Sequence, residues 1–150
     1  MAKLTGESSI EIDAPIDAVW AVVEDVLSAP EWQGGMNSLT ALETDADGRV
    51  LVAEVKVDGK VKELGSRQRF VYDAPNSLRW SQEKGDMKDV SGAWELESID
   101  ANRTKATYLM ETDPGRVLGM AIRGPVELAL RALLVNPRAG ELAKRVEQVG

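Results

Sequence analysis

Runs in which apolar and polar residues alternate fill most of the chain between residues 8 and 112. Side chains of a β-strand point alternately to its two faces, so these runs predict strands that are buried on one side. The predicted strands lie at residues 8–13, 37–44, 49–58, 62–72, 78–82, 89–97 and 104–111. Turn sequences rich in Asp, Gly, Pro and Asn separate them, which favours a single antiparallel sheet.

Two helices are predicted between the first strand and the second. Pro15 suits the first turn of a helix that runs to about Glu24, because the N–H that proline lacks has no partner there. Trp20 lies on the apolar face of this helix and is predicted to be a packing anchor. Ser28 and Pro30 predict a second, very short helix, which Gly34-Gly35 ends.

The C-terminal segment has the spacing of an α-helix. Apolar residues recur at steps of four and three, at Leu128, Ala132, Val135, Ala139, Leu142, Val146 and Val149. This stripe keeps its phase across Pro137, so we predict a long helix from about Pro125 that is kinked rather than reversed. Arg123, Glu127 and Arg131, four residues apart, are predicted to form its solvated side.

A sheet with one apolar face needs a cover, and the C-terminal stripe supplies one. The sequence therefore predicts an α+β fold in which a sheet of about seven strands curls around the C-terminal helix and leaves a hollow between them. The Asp58-Gly59-Lys60 hairpin signal places Val57 opposite Lys62 and Val55 opposite Leu64. Arg67 and Arg69 then point outward, unless a bulge at Gly65 reverses the alternation.

Composition and charge narrow the function classes. The chain of 150 residues has a net charge of −7 and a pI near 4.7, which argues against nucleic acid as a partner. It contains no Cys and no His, so thiol nucleophiles, His-based acid–base catalysis and zinc sites are excluded. We expect one domain over residues 1–150, no metal or cofactor, no membrane-spanning segment, a cytoplasmic location, and a monomer or weak homodimer. A magnesium or calcium site built from carboxylates alone stays open, but no loop with the spacing of an EF-hand is present.

Four short segments occur in an order that is typical of one superfamily. They are Ile10-Glu11-Ile12-Asp13-Ala14-Pro15 followed by Val19-Trp20, then Pro30-Glu31-Trp32, then residues 85–94 with Gly92-Ala93-Trp94, and finally residues 142–147. With these segments the chain resembles the START-like (SRPBCC) superfamily, which includes the polyketide cyclase/dehydrase and coenzyme Q-binding families. The resemblance covers essentially the whole chain and implies the helix-grip fold, which hosts lipid carriers, cyclases, hormone receptors and chaperone regulators.

Our first hypothesis is that a hydrophobic small molecule, such as a lipid, quinone or polyketide-like compound, binds or is carried between the sheet and the C-terminal helix. An apolar pocket with a few polar groups suits such a ligand. The expected ligand-binding residues are Trp32, Leu64, Gln68, Phe70, Trp80, Gln82, Val90, Trp94, Tyr108, Met110 and Met120. The alternative for each side chain is simple core packing. The entrance is expected near residues 117–134.

The second hypothesis is an enzyme of the cyclase/dehydrase type, which would orient a reactive chain and polarise its carbonyl groups. Tyr108 could donate a hydrogen bond to an enolate, as could Arg67 or Arg69 if one of them points inward. No catalytic residue is assigned. A polar cluster that converges at the cavity floor would favour catalysis, whereas an apolar floor would favour carriage. Protein interaction ranks last because no motif indicates it.

Overall fold

The computed structural model describes residues 3–150, and a single antiparallel sheet of seven strands dominates it. The strands are β1 (Leu4–Ile12), β2 (Met36–Thr44), β3 (Val50–Asp58), β4 (Glu63–Asp73), β5 (Ser77–Gly85), β6 (Asp89–Asp100) and β7 (Arg103–Asp113). Their spatial order is β1-β7-β6-β5-β4-β3-β2. The predicted helix-grip fold is confirmed, and β1 begins earlier than the alternation indicated.

Helices cover the concave face of the sheet. Between β1 and β2 lie α1 (Ile16–Glu24), a 3-10 turn (Val26–Ser28) and α2 (Ala29–Trp32). After β7 come α3 (Gly115–Ala121), α4 (Pro125–Leu134) and α5 (Arg138–Val149). None of the helices within residues 3–150 is long and apolar enough to cross a membrane.

The hydrophobic core forms where α1 and α5 meet the sheet. Val19, Trp20 and Val23 of α1 are buried against Leu142 and Val146 of α5 and against inward side chains of the strands. The helical spacing in both sequences explains this contact, because each helix presents a single apolar stripe. Trp20 is only 6% exposed and is the packing anchor that the sequence predicts.

The predicted bend in the C-terminal helix is confirmed. However, the apolar residues before and after the bend do not lie on one continuous buried face. Val135, Asn136 and Pro137 separate α4 from α5. Beyond the break, Ala139 and Leu142 are fully buried as predicted, whereas Leu128 in α4 is 68% exposed. The non-helical backbone of Val135, with φ −122° and ψ −61°, rotates one segment relative to the other.

The rotation at the break also changes the polar side of α4. Glu127 and Arg131 were predicted to be solvated, but both are half-buried. The Nη1 atom of Arg131 donates to the carbonyl oxygen of Thr5 at 2.7 Å, and its Nε donates to Glu127 Oε2 at 3.0 Å. The exposed edge strand β1 thus gains a partner for one of its carbonyl groups, which a pattern within one helix cannot indicate.

The register between β3 and β4 differs by two residues from the prediction. Val57 pairs with Leu64, not Lys62, because the connection takes four residues from Gly59 to Lys62 and Lys60 adopts a positive φ of 68°. An even shift leaves each residue on its predicted face. The pairing of β4 with β5 contains one bulge, in which Glu83 of β5 is the extra residue. Because Gly65 of β4 is not bulged, the alternation of inward and outward side chains along β4 is preserved.

We predict that Leu142→Ala lowers the free energy of unfolding by about 3 kcal/mol, because it leaves a cavity in a fully buried site. The matched control Leu128→Ala removes the same atoms from an exposed position and should change it by less than about 0.5 kcal/mol. Urea denaturation measures both values. Equal effects would contradict the assignment of the core to α5.

Candidate functional site

A cavity of about 120 Å³ lies between the concave face of the sheet and the segments that cover it. We call it the main cavity. Strands β2 to β7 form its floor, and the end of α1, the 3-10 turn, α2, Gln33, Leu134 and Arg138 form its cover. An apolar protein cavity of about 150 Å³ holds a benzene molecule, so the main cavity matches a ligand of about one ring.

Most of the residues predicted for ligand binding come together here. Trp32, Leu64, Gln68, Phe70, Trp80, Gln82, Val90, Trp94, Tyr108 and Met110 all line the main cavity. Nine of these ten residues lie on strands, and the alternation placed them in the cavity because the inward face was predicted correctly; Trp32 comes from α2. Met120 is different: it lies on α3, is 65% exposed, and is not part of the lining.

Aromatic rings form a continuous series along the cavity. The ring centroids of Trp32 and Trp94 are 6.2 Å apart, those of Trp94 and Tyr108 5.1 Å, and those of Tyr108 and Trp80 5.8 Å. Gly92 makes room for the end of this series, since a Cβ atom there would lie 2.4 Å from the Trp80 indole. The space beside the Gly92 backbone is therefore filled by Trp80.

One cluster of polar side chains in the cavity, Ser66, Gln68 and Gln82, forms its hydrogen bonds within the protein. Ser66 Oγ donates to Gln82 Oε1 at 2.8 Å, and Gln68 Nε2 donates to Ser66 Oγ at 3.3 Å. The Nε2 atom of Gln82 donates to the carbonyl oxygen of Met87 at 2.9 Å. These hydrogen bonds fix the side chains at the β4–β5 end of the cavity. Because the side chains already have partners, a ligand need not supply a polar group there.

A second cluster of polar groups surrounds Arg138, a residue that the sequence did not indicate as part of the cavity. This side chain lines the main cavity, and the residue is only 2% exposed. Its Nη1 donates at 2.8 Å both to the carbonyl oxygen of Gly34 and to Glu141 Oε1. The other carboxylate oxygen of Glu141 accepts from the Gly34 N–H at 2.9 Å. The only sign of this cluster in the sequence is an arginine and a glutamate three residues apart. Such pairs usually lie on the exposed surface of a helix, so the spacing does not indicate a buried pair.

Tyr108 lies beside this pair. Its ring centroid is 5.7 Å from Cζ of Arg138, and its side chain is buried. Burial raises the pKa of the Tyr108 hydroxyl above its ordinary value, although the positive charge of Arg138 opposes the change. The hydroxyl therefore keeps its proton at neutral pH and is available as a hydrogen-bond donor.

Arg67 and Arg69 lie outside the lining of the main cavity. Arg69 pairs with Glu83 at 2.9 Å and with Glu43 at 4.0 Å on the outer face of the sheet. Arg67 alternates along β4 with Ser66 and Gln68, which line the cavity, so it points to the other face, as predicted, although its Nε is buried. Among residues 3–150, no three acidic side chains come together as a metal site would require.

A smaller apolar cavity of about 50 Å³ adjoins the main one and lies under α4. We call it the side cavity. Four residues line both cavities and form a partition between them: Met87, Met110, Thr112 and Leu134. Methionine and leucine side chains change rotamer easily, so this partition can yield to a larger ligand.

Comparisons with known proteins agree with this architecture. The family described as "Polyketide cyclase / dehydrase and lipid transport" matches residues 12–136. A START superfamily protein from Mycobacterium smegmatis is 19% identical, with a TM-score of 0.79 over 97% of this chain and 99% of that one. The ZhuI aromatase/cyclase from Streptomyces sp. R1128 is 19% identical, with a TM-score of 0.76 over 98% and 95% of the two chains. No curated protein gives a significant match.

We predict that Gly92→Ala lowers the free energy of unfolding by about 1–3 kcal/mol, because the new methyl group overlaps the Trp80 ring. The matched control is Gly140→Ala, where the added Cβ meets nothing within 4 Å on helix α5. That variant should gain about 0.5–1 kcal/mol. Thermal unfolding followed by circular dichroism compares the two, and a neutral Gly92→Ala would contradict the close contact.

Proposed function

This chain belongs to the polyketide cyclase/dehydrase and lipid transport family, and on that basis we propose that it binds a small hydrophobic molecule in the main cavity. The observation that carries the proposal is the cavity itself, which three tryptophans, Tyr108 and mostly apolar side chains line. Aromatic and aliphatic walls with a few polar groups favour an apolar ligand over water.

The size of the main cavity restricts the ligand. Pockets that hold drug-sized molecules are about 300–1,000 Å³, well above the 120 Å³ available here. We propose that one-ring ligands bind without rearrangement. A lipid, quinone or polyketide-like chain requires that the partition of Met87, Met110, Thr112 and Leu134 open into the side cavity.

We propose that ligands enter beneath α3 and α4. Neither of these helices, both fully described, contains a buried residue, whereas α5 buries four. Val117 is 80% exposed and Leu128 68% exposed, so this segment contributes little apolar burial. Segments with little burial open at the lowest free-energy cost.

A second candidate function is catalysis of cyclisation or dehydration on a carbonyl compound. Tyr108 and Arg138 favour it, because two hydrogen-bond donors inside an apolar cavity can polarise a carbonyl group. The relevant test compares binding with turnover of a 1,3-diketone chain. A Tyr108→Phe variant that binds normally but loses turnover would favour the enzyme, and absence of turnover in the native protein would favour carriage alone.

We predict that Val90→Trp abolishes binding of toluene, because the indole fills a cavity of this size from a position on its wall. The matched control Val71→Trp lies on the outer face of β4, where Val71 is 59% exposed, and should bind like the native protein. Isothermal titration measures binding and urea denaturation checks folding. Equal binding by both variants would contradict the location of the site.

We predict that a disulfide between Gly6→Cys and Val135→Cys slows the binding of two-ring ligands such as 1-naphthol by at least about tenfold, because it fixes the end of α4 to β1. A Cβ on residue 6 would lie 3.4 Å from Val135 Cβ, close to the separation in a disulfide. The chain has no other cysteine, so the reduced form of the same protein is the control. Stopped-flow fluorescence measures the rates, and equal rates would contradict access beneath α4.

A further inference from the structure

We infer that Arg138 and Tyr108 form an anchor for an uncharged acceptor oxygen, so that the cavity selects ketones, aldehydes or esters over hydrocarbons and over carboxylates. The inference rests on the proposed function, since it concerns the ligand of the same cavity. It begins from an unpaired atom: Nε of Arg138 is buried and has no hydrogen-bond partner among residues 3–150. A buried donor without a partner is costly, and most buried donors have one.

The neighbouring polar groups are already engaged. Nη1 of Arg138 is shared between Gly34 and Glu141, and both oxygens of the Glu141 carboxylate accept a hydrogen bond. At the other end of the cavity, Ser66, Gln68 and Gln82 bond to one another and to Met87. The Tyr108 hydroxyl interacts with the Arg138 side chain, but Nε forms no hydrogen bond to it or to any other residue among 3–150. A ligand oxygen beside these two side chains would supply the acceptor that Nε lacks.

The chemical type of the ligand oxygen follows from the hydrogen-bond donors of Arg138 and Tyr108. Arg138 can only donate, and the buried hydroxyl of Tyr108 beside it carries a proton. An alcohol can also accept, but its own proton would then need an acceptor on an apolar wall. A carbonyl oxygen has two lone pairs and no proton, so it satisfies both donors at no further cost.

The charge around the anchor disfavours an anion. The Glu141 carboxylate neutralises Arg138 at 2.8 Å, and both groups lie largely out of solvent. Asp25, the other charged residue in the described lining, adds a negative charge at the rim. A carboxylate ligand would lose its hydration without gaining a free positive partner, which is unfavourable in an apolar cavity.

Three probes of one shape test this inference in the native protein. Acetophenone, α-methylstyrene and benzoate carry a ketone, a methylene group and a carboxylate on the same ring, with equal numbers of non-hydrogen atoms. We expect acetophenone to bind about tenfold more tightly than α-methylstyrene, as one hydrogen bond to a charged donor predicts, and benzoate to bind most weakly. Isothermal titration gives the three dissociation constants.

The other possible results of this titration contradict either the anchor or the proposed function. Equal affinity for acetophenone and α-methylstyrene would overturn the anchor and leave the proposed apolar site intact. Tightest binding of benzoate would overturn the claim that Arg138 is neutralised. Failure of all three probes to bind would overturn the proposed function, and the anchor with it.

Two variants separate recognition from folding. Arg138→Met should abolish the preference for acetophenone over α-methylstyrene in the folded protein, and a retained preference would overturn the role of Arg138. Glu141→Gln keeps an acceptor for Arg138 but removes its counter-charge, so benzoate should gain about tenfold relative to acetophenone. A merely structural pair would lower stability without changing these ratios, and an unchanged benzoate ratio in folded Glu141→Gln would overturn the charge argument.

Discussion

Burial of one helix face on part of the concave sheet is the constraint on which the rest of this structure depends. Ala139, Leu142 and Val146 of α5 seal the sheet together with α1, and these contacts form the hydrophobic core. The remaining part of the concave face is covered by the 3-10 turn, α2, Gln33 and the end of α4, and α4 contains no buried residue. The cavity thus exists because the chain covers one half of its sheet tightly and the other half loosely.

The junction between α4 and α5 connects these two halves. Ser8 Oγ donates to the Asn136 carbonyl at 3.1 Å and accepts from the Ala139 N–H at 3.2 Å, so a side chain of β1 caps the start of α5. On the other side, Arg138 and Glu141 bond both backbone groups of Gly34. The wall of the cavity and the end of the core helix are therefore held by the same few residues, and a ligand that contacts Arg138 acts directly on this junction.

The sequence predicts the strands, the order of elements and the inward face well, because alternation and helical spacing are local properties. Gln68, Trp80 and Tyr108 were placed in the cavity for that reason. The errors have a different origin. The phase of α4, the burial of Glu127 and the role of Arg138 depend on Thr5, Gly34 and Tyr108, which are distant in sequence and approach only in the folded chain.

The central claim is that a small apolar molecule occupies the main cavity, and the four tryptophans allow a direct test. Trp32, Trp80 and Trp94 line that cavity, whereas Trp20 is packed in the core and does not. Titration of ¹⁵N-labelled protein with acetophenone should shift the indole N–H resonances of the first three and leave that of Trp20 in place. Uniform shifts of all four, or a shift of none, would contradict the account.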